Sequence, residues 1–113
     1  MWRDDAYLLD IVIAARKVLR YVEGVTLEGF RNGEVLQDAV VRNLQILGEA
    51  ARKISEELRQ QHPEIPWSQI IGMRNRLVHE YFRVDVERVW ETVTEDLPAL
   101  LAAIEPLVPP EEP

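Results

Sequence analysis

Apolar residues recur along most of this chain at steps of three and four, the period of one face of an α-helix. Leu8, Ile11, Ala15, Val18 and Val22 make a first stripe, with Asp4 or Asp5 placed to cap its start and Glu23-Gly24 to end it. Val40, Leu44, Leu47, Ala51, Ile54 and Leu58 make a second. They predict a helix from about Glu34 to Gln61, closed by His62-Pro63 because proline restricts the residue before it. Gly48 lies inside this helix. A mid-helix glycine costs about 1 kcal/mol against alanine, so its presence predicts a close crossing by another helix. A third helix is expected from Pro66 to Phe82, with the proline in its first turn. The fourth is capped by Asp85 and carries Val86, Trp90, Val93, Leu97, Leu100, Ile104 and Leu107. Pro98 interrupts it, removing one backbone bond and crowding the carbonyl of Thr94. The stripe keeps its phase across Pro98, which predicts one kinked helix and not two.

No stretch sustains a period-two alternation. The expected fold is therefore all-α, an antiparallel four-helix bundle in one domain over residues 1–113. Residues 24–33 form a connection with one short turn between Thr26 and Phe30, and residues 108–113 form a frayed tail. Ile13, Ile46, Met73 and Val89 fall outside the main stripes and are candidates for a homodimer face.

Composition narrows the chemistry. Among 113 residues, 13 Lys and Arg stand against 20 Asp and Glu, a net charge of −7. A protein that coats nucleic acid by bulk positive charge is excluded, though a local basic site is not. Cysteine is absent, which removes disulfides, thiol nucleophiles and zinc–thiolate sites and fits a reducing cytoplasm. The longest apolar stretch, Leu97 to Ile104, falls short of the roughly 18 residues of a membrane span. The acidic start, Met1 to Asp5, does not read as a signal peptide. A cytoplasmic protein with no membrane partner is expected.

The third helix carries the chemistry. Trp67, Ile70, Leu77 and Tyr81 share a face, and Arg74 interrupts it. Asn75 likewise interrupts a second stripe of Ile71, Val78 and Phe82, while Gly72, Arg76, His79 and Arg83 form a basic one. A charge on a core-facing stripe requires a partner or a purpose. Arg74 and His79 stand about 140° apart around the axis, so one straight helix does not bring them together easily. Two copies of the helix across a two-fold axis can pool them in one cleft. That set suits phosphodiester cleavage: His moves the proton of a ribose 2′-hydroxyl or of the leaving oxygen, and Arg stabilises the charge on phosphorus. The 2′-hydroxyl is an internal nucleophile, so no metal or other cofactor is required. His62 and His79 sit in different helices and do not suggest a metal site. The plainer readings are a structural ion pair of Arg74 with Glu49, a polar His79 near a helix end, and Tyr81 as a core aromatic beside Phe82.

Arg74-Asn75-Arg76-Leu77-Val78-His79-Glu80-Tyr81 matches the Arg-x4-His-x-Tyr signature of HepT-like HEPN proteins. Asp38 to Ala51 resembles that family's second-helix block, His62 to Trp67 its lead into the third helix, and Val84 to Trp90 with Asp96-Leu97-Pro98 its fourth. The resemblance covers about residues 4–107 and departs at Glu80, where a small residue is expected. It implies a homodimeric, metal-independent ribonuclease acting as the toxin of a type VII toxin–antitoxin module. The cognate antitoxin is a minimal nucleotidyltransferase that transfers AMP from ATP onto the motif tyrosine. Carried over, His79 is the acid/base, Arg74 binds and stabilises the phosphate, Asn75 orients, and Tyr81 accepts AMP. The alternative is a HEPN protein without nuclease activity that serves as the binding partner of the nucleotidyltransferase. The acidic net charge and Glu80 favour that alternative; Arg74 and Asn75 on core-facing stripes argue against a purely structural bundle.

Overall fold

The computed structural model describes residues 2–79 and 85–110, and leaves the side chains of Trp2 and His79 outside the description. Its four long rods are α1 (Trp2–Tyr21), α3 (Glu34–Lys53), α5 (Trp67–His79) and a composite of α6 (Val86–Glu91), a π-helical segment (Thr92–Asp96) and α7 (Leu97–Ile104). The short helices α2 (Leu27–Asn32) and α4 (Glu56–Gln61) sit in the connections. The described residues thus form an all-α bundle, as the periodicity predicts. The stripes face inward: Leu8, Ile11, Ala15 and Val18 of α1, Val40, Leu44, Leu47 and Ala51 of α3, and Val93, Leu97 and Ile104 of the last rod are all buried. No helix among the described residues is long and apolar enough to cross a membrane.

Three local features differ from the sequence reading. The helix expected from Glu34 to Gln61 breaks at Ile54-Ser55, where Ser55 turns extended and caps α4 by accepting from the Leu58 N–H (3.2 Å). The carboxylate of Asp4 accepts from both the Ser55 N–H (2.9 Å) and its hydroxyl (2.6 Å), and Asp4 is buried. Asp4 therefore does not cap α1, which starts before it; it pins the start of α1 to the end of α3 and sets the two antiparallel. Val89, a candidate for the dimer face, is buried in the core, and Met73 is partly buried, while Ile13 and Ile46 stand exposed.

The fourth rod runs on across Pro98 as one rod, as expected, and its irregularity is a π segment that precedes the proline. The Leu97 N–H reaches back five residues to Thr92 O. Pro98 supplies no N–H to the Thr94 carbonyl, and the hydroxyls of Thr92 and Thr94 donate to Arg88 O (2.9 Å) and Trp90 O (2.8 Å), loosening the ladder from both sides. The extra residue keeps Val89, Val93, Leu97, Leu100 and Ile104 on the core. In the first connection, Thr26 caps α2 by accepting from Gly29, and Phe30 is buried against Trp90, ring centroids 5.2 Å apart. Asp85 caps α6 through the Arg88 N–H, as predicted.

Candidate functional site

Arg74 owes its place to Gly48. A β-carbon built on Gly48 would stand 2.2 Å from Arg74 Cβ and 3.3 Å from its Cα, so α5 lies on α3 at a separation that only a hydrogen side chain permits. Once over Gly48, the Arg74 side chain runs outward along α3. Its Nη2 meets Glu49 Oε2 at 3.0 Å, and its Nη1 donates to Asn75 Oδ1 at 3.0 Å. The plainer expectation for Arg74, a pair with Glu49, is therefore met in the structure. The pair is not a buried one: the side chains keep 23% and 31% of their exposure.

Glu49 is shared. Its Oε1 also takes Arg52 Nη2 at 2.7 Å and lies 3.8 Å from Lys53 Nζ. The Arg52 hydrogen bond, with the charges of Arg52, Arg74 and Lys53, holds the Glu49 carboxyl below its ordinary range against the opposing pull of desolvation. The same contact raises Arg52. Because Glu49 keeps other cations, it does not need Arg74 for charge compensation, and the guanidinium of Arg74 can turn to an incoming phosphate.

Arg74 opens onto a groove of about 300 Å³ between α1, α3 and α5, lined among others by Tyr7, Asp10, Arg42, Ile46, Lys53 and Val78. Among the described residues, three cations (Arg42, Lys53, Arg74) face two carboxylates (Asp10, Glu49) there, a local surplus of positive charge in a chain of net charge −7. A second cleft of about 450 Å³, between α5 and the last rod, has the opposite balance: Arg88 against Glu64, Glu95 and Asp96. A polyanion suits the first and not the second.

Asn75 is exposed; on its stripe Ile71 packs against the core while Val78 is 36% exposed, so the stripe turns from core to surface along α5. The amide of Asn75 holds Arg74 in the structure. A β-carbon at Gly72 would meet nothing within 4 Å, which leaves open space beside Arg76. The side chain of His79, and Glu80, Tyr81, Phe82 and Arg83 altogether, lie outside the described residues, so the expected roles of His79 and Tyr81 have no geometry here. Sequence reading missed Arg42 and Lys53. The signal was present: Arg42, Ile46, Glu49 and Lys53 recur at helical spacing as a mixed stripe on the far side of α3 from its core residues.

Residues 11–107 match the family model "Ribonuclease HepT-like". A Thermococcus cleftensis protein designated a HepT ribonuclease is 41% identical over 101 residues, covering 89% of this chain and 92% of the relative. A Caldanaerobacter subterraneus subsp. tengcongensis protein designated an RNase is 39% identical over 94 residues, 83% of this chain and 84% of the relative. A Methanocaldococcus jannaschii protein with the same designation is 36% identical over 100 residues, 88% and 92% of the two chains. No solved structure is matched. With its helical bundle and a family match spanning most of its length, the chain belongs to the HepT-like ribonuclease family.

Proposed function

We propose that this protein is the toxin of a toxin–antitoxin module, a metal-independent endoribonuclease silenced by AMP transfer onto Tyr81. The observation that carries the reading is the setting of Arg74: held over Gly48 by backbone packing, half-open to a positively balanced groove, and fixed at its head by Glu49 and Asn75. The guanidinium is positioned at the groove and turns from Glu49, which keeps Arg52 and Lys53, to clamp phosphate oxygens as charge builds on them. His79 removes the proton of the ribose 2′-hydroxyl, the 2′-oxygen bonds to phosphorus, and the bond from phosphorus to the 5′-oxygen breaks as that oxygen takes up a proton. The products are a 2′,3′-cyclic phosphate and a 5′-hydroxyl. Two copies pool Arg74 and His79 across a two-fold axis, with Ile13 available as exposed apolar surface outside the groove. An adenylate on Tyr81 adds a phosphate and a base beside this cleft and excludes RNA by charge and bulk.

The test is cleavage of total RNA by the purified protein with and without EDTA. Wild type should cleave equally in both, and Arg74→Ala and His79→Ala should not cleave. Arg74→Ala should remain folded, losing about 1 kcal/mol or less, because the pair is half-exposed and Glu49 retains Arg52. Tyr81→Phe should cleave but escape silencing by the nucleotidyltransferase and ATP. A folded wild type that leaves RNA intact yet binds the nucleotidyltransferase would refute the nuclease reading in favour of a binding module.

A further inference from the structure

Glu49 meets Arg74 at 3.0 Å, and Gln45 Nε2 donates to Leu77 O at 3.1 Å. Stepping back along α3 thus means stepping forward along α5: the helices run antiparallel. Arg42 lies one further turn back, beyond the Gln45–Leu77 contact, and so stands beside the end of α5 that carries His79. It shares a face with Glu49, about 20° off in angle and about 10 Å along the axis. Arg42 and Arg74 line the same groove, with the exposed apolar side chains of Ile46 and Val78 also in its wall.

The two arginines differ in what holds them. Arg74, Arg52 and Lys53 all engage Glu49. Arg42 is exposed and has no ion-pair or hydrogen-bond partner among the described residues. A guanidinium on a groove wall with no partner among the described residues, in a protein of net charge −7, can take an anion without first breaking a pair with any of them.

We propose that Arg42 is a second phosphate-binding residue: it holds a phosphodiester of the same RNA strand on the His79 side of the one that Arg74 clamps, and so sets the direction of the strand along the groove. Ile46 and Val78 supply an apolar wall for the sugar or base carried between the two phosphates. The assignment rests on the ribonuclease reading above, with single-stranded RNA backbone as the ligand.

The experiment measures binding of an uncleavable 2′-O-methyl oligoribonucleotide across a salt series, for wild type, Arg42→Ala, Arg42→Lys, Arg74→Ala and Arg20→Ala. Arg20 is exposed on α1 over the Tyr21 ring and controls for loss of one charge away from the groove. Arg42→Ala should bind about tenfold more weakly. Its log–log salt slope should fall by about 0.7, the value for one single-strand phosphate contact. Arg42→Lys should keep the slope and lose part of the affinity, because it keeps the charge without the fork. Arg20→Ala should leave the slope unchanged. Arg42→Ala matching Arg20→Ala in both affinity and slope would overturn the assignment. If Arg74→Ala weakens binding in that case, only the role of Arg42 falls; if Arg74→Ala also binds like Arg20→Ala, the ribonuclease reading of the groove falls with it.

Discussion

Replacing Gly48 by alanine isolates the contact on which the position of Arg74 depends. The added methyl carbon would sit 2.2 Å from Arg74 Cβ, 2.8 Å from its Cγ and 3.3 Å from its Cα. Two of these atoms are fixed by the backbone of α5, so no rotamer change relieves the overlap, and the helices must separate. Alanine gains about 1 kcal/mol of intrinsic helix propensity, whereas overpacking a tight interface costs typically 1–3 kcal/mol and more when backbone must move. The steric term wins, and Gly48→Ala should lose about 2 kcal/mol net. Urea unfolding followed by circular dichroism should show a lowered midpoint with an unchanged slope. The clash is with Cβ, so Arg74→Ala should not rescue it, while Arg74→Gly should recover part of the loss. RNA cleavage should fall as well, since α5 carries Arg74 away from Glu49. A Gly48→Ala protein as stable as wild type, or one rescued equally by Arg74→Ala, would refute the reasoning.

Two further expectations concern stability. Asp4→Ala leaves the Ser55 N–H and hydroxyl without their carboxylate at a buried junction, and should cost about 1.5–3 kcal/mol; in a double-mutant cycle with Ser55→Ala the two losses should be strongly non-additive, and simple additivity would show that the contact is not made in solution. The Glu49 carboxyl is held below its ordinary range by Arg52 first, with Arg74 and Lys53. A depressed carboxylate contributes stability that is present above its unfolded pKa, near 4.3, and is lost as pH falls through the folded value. Glu49→Gln should therefore narrow the stability difference between neutral and acid pH by about 1 kcal/mol or less, since the cluster is half-exposed, and an unchanged acid profile would contradict the pairing.

The helical period by itself determined that this chain is an all-α bundle, because burying one face of a helix requires a regular three-and-four spacing that survives in the residue order; it also showed that Gly48 admits a close neighbour, but not that the second helix breaks at Ile54-Ser55. The cap at Asp85 was equally legible, being a local contact between a side chain and a backbone N–H three residues on; the same contact at Thr26 was read only as a short turn. The motif around Arg74 and His79 identified the helix that matters. What only the tertiary structure decided are contacts between residues distant in sequence. Asp4 reads as a cap until Ser55 is seen beside it, 51 positions away. Arg74 and Asn75 both read as polar interruptions of buried stripes. Packing over Gly48 sends one along α3 to Glu49 and leaves the other on the surface, because the crossing point, and not the stripe, sets which flank of α5 meets solvent. Arg42 reads as one of eleven arginines. The antiparallel register of α3 and α5, a property of neither helix alone, places it in the groove of Arg74 beside the end of the helix that carries His79.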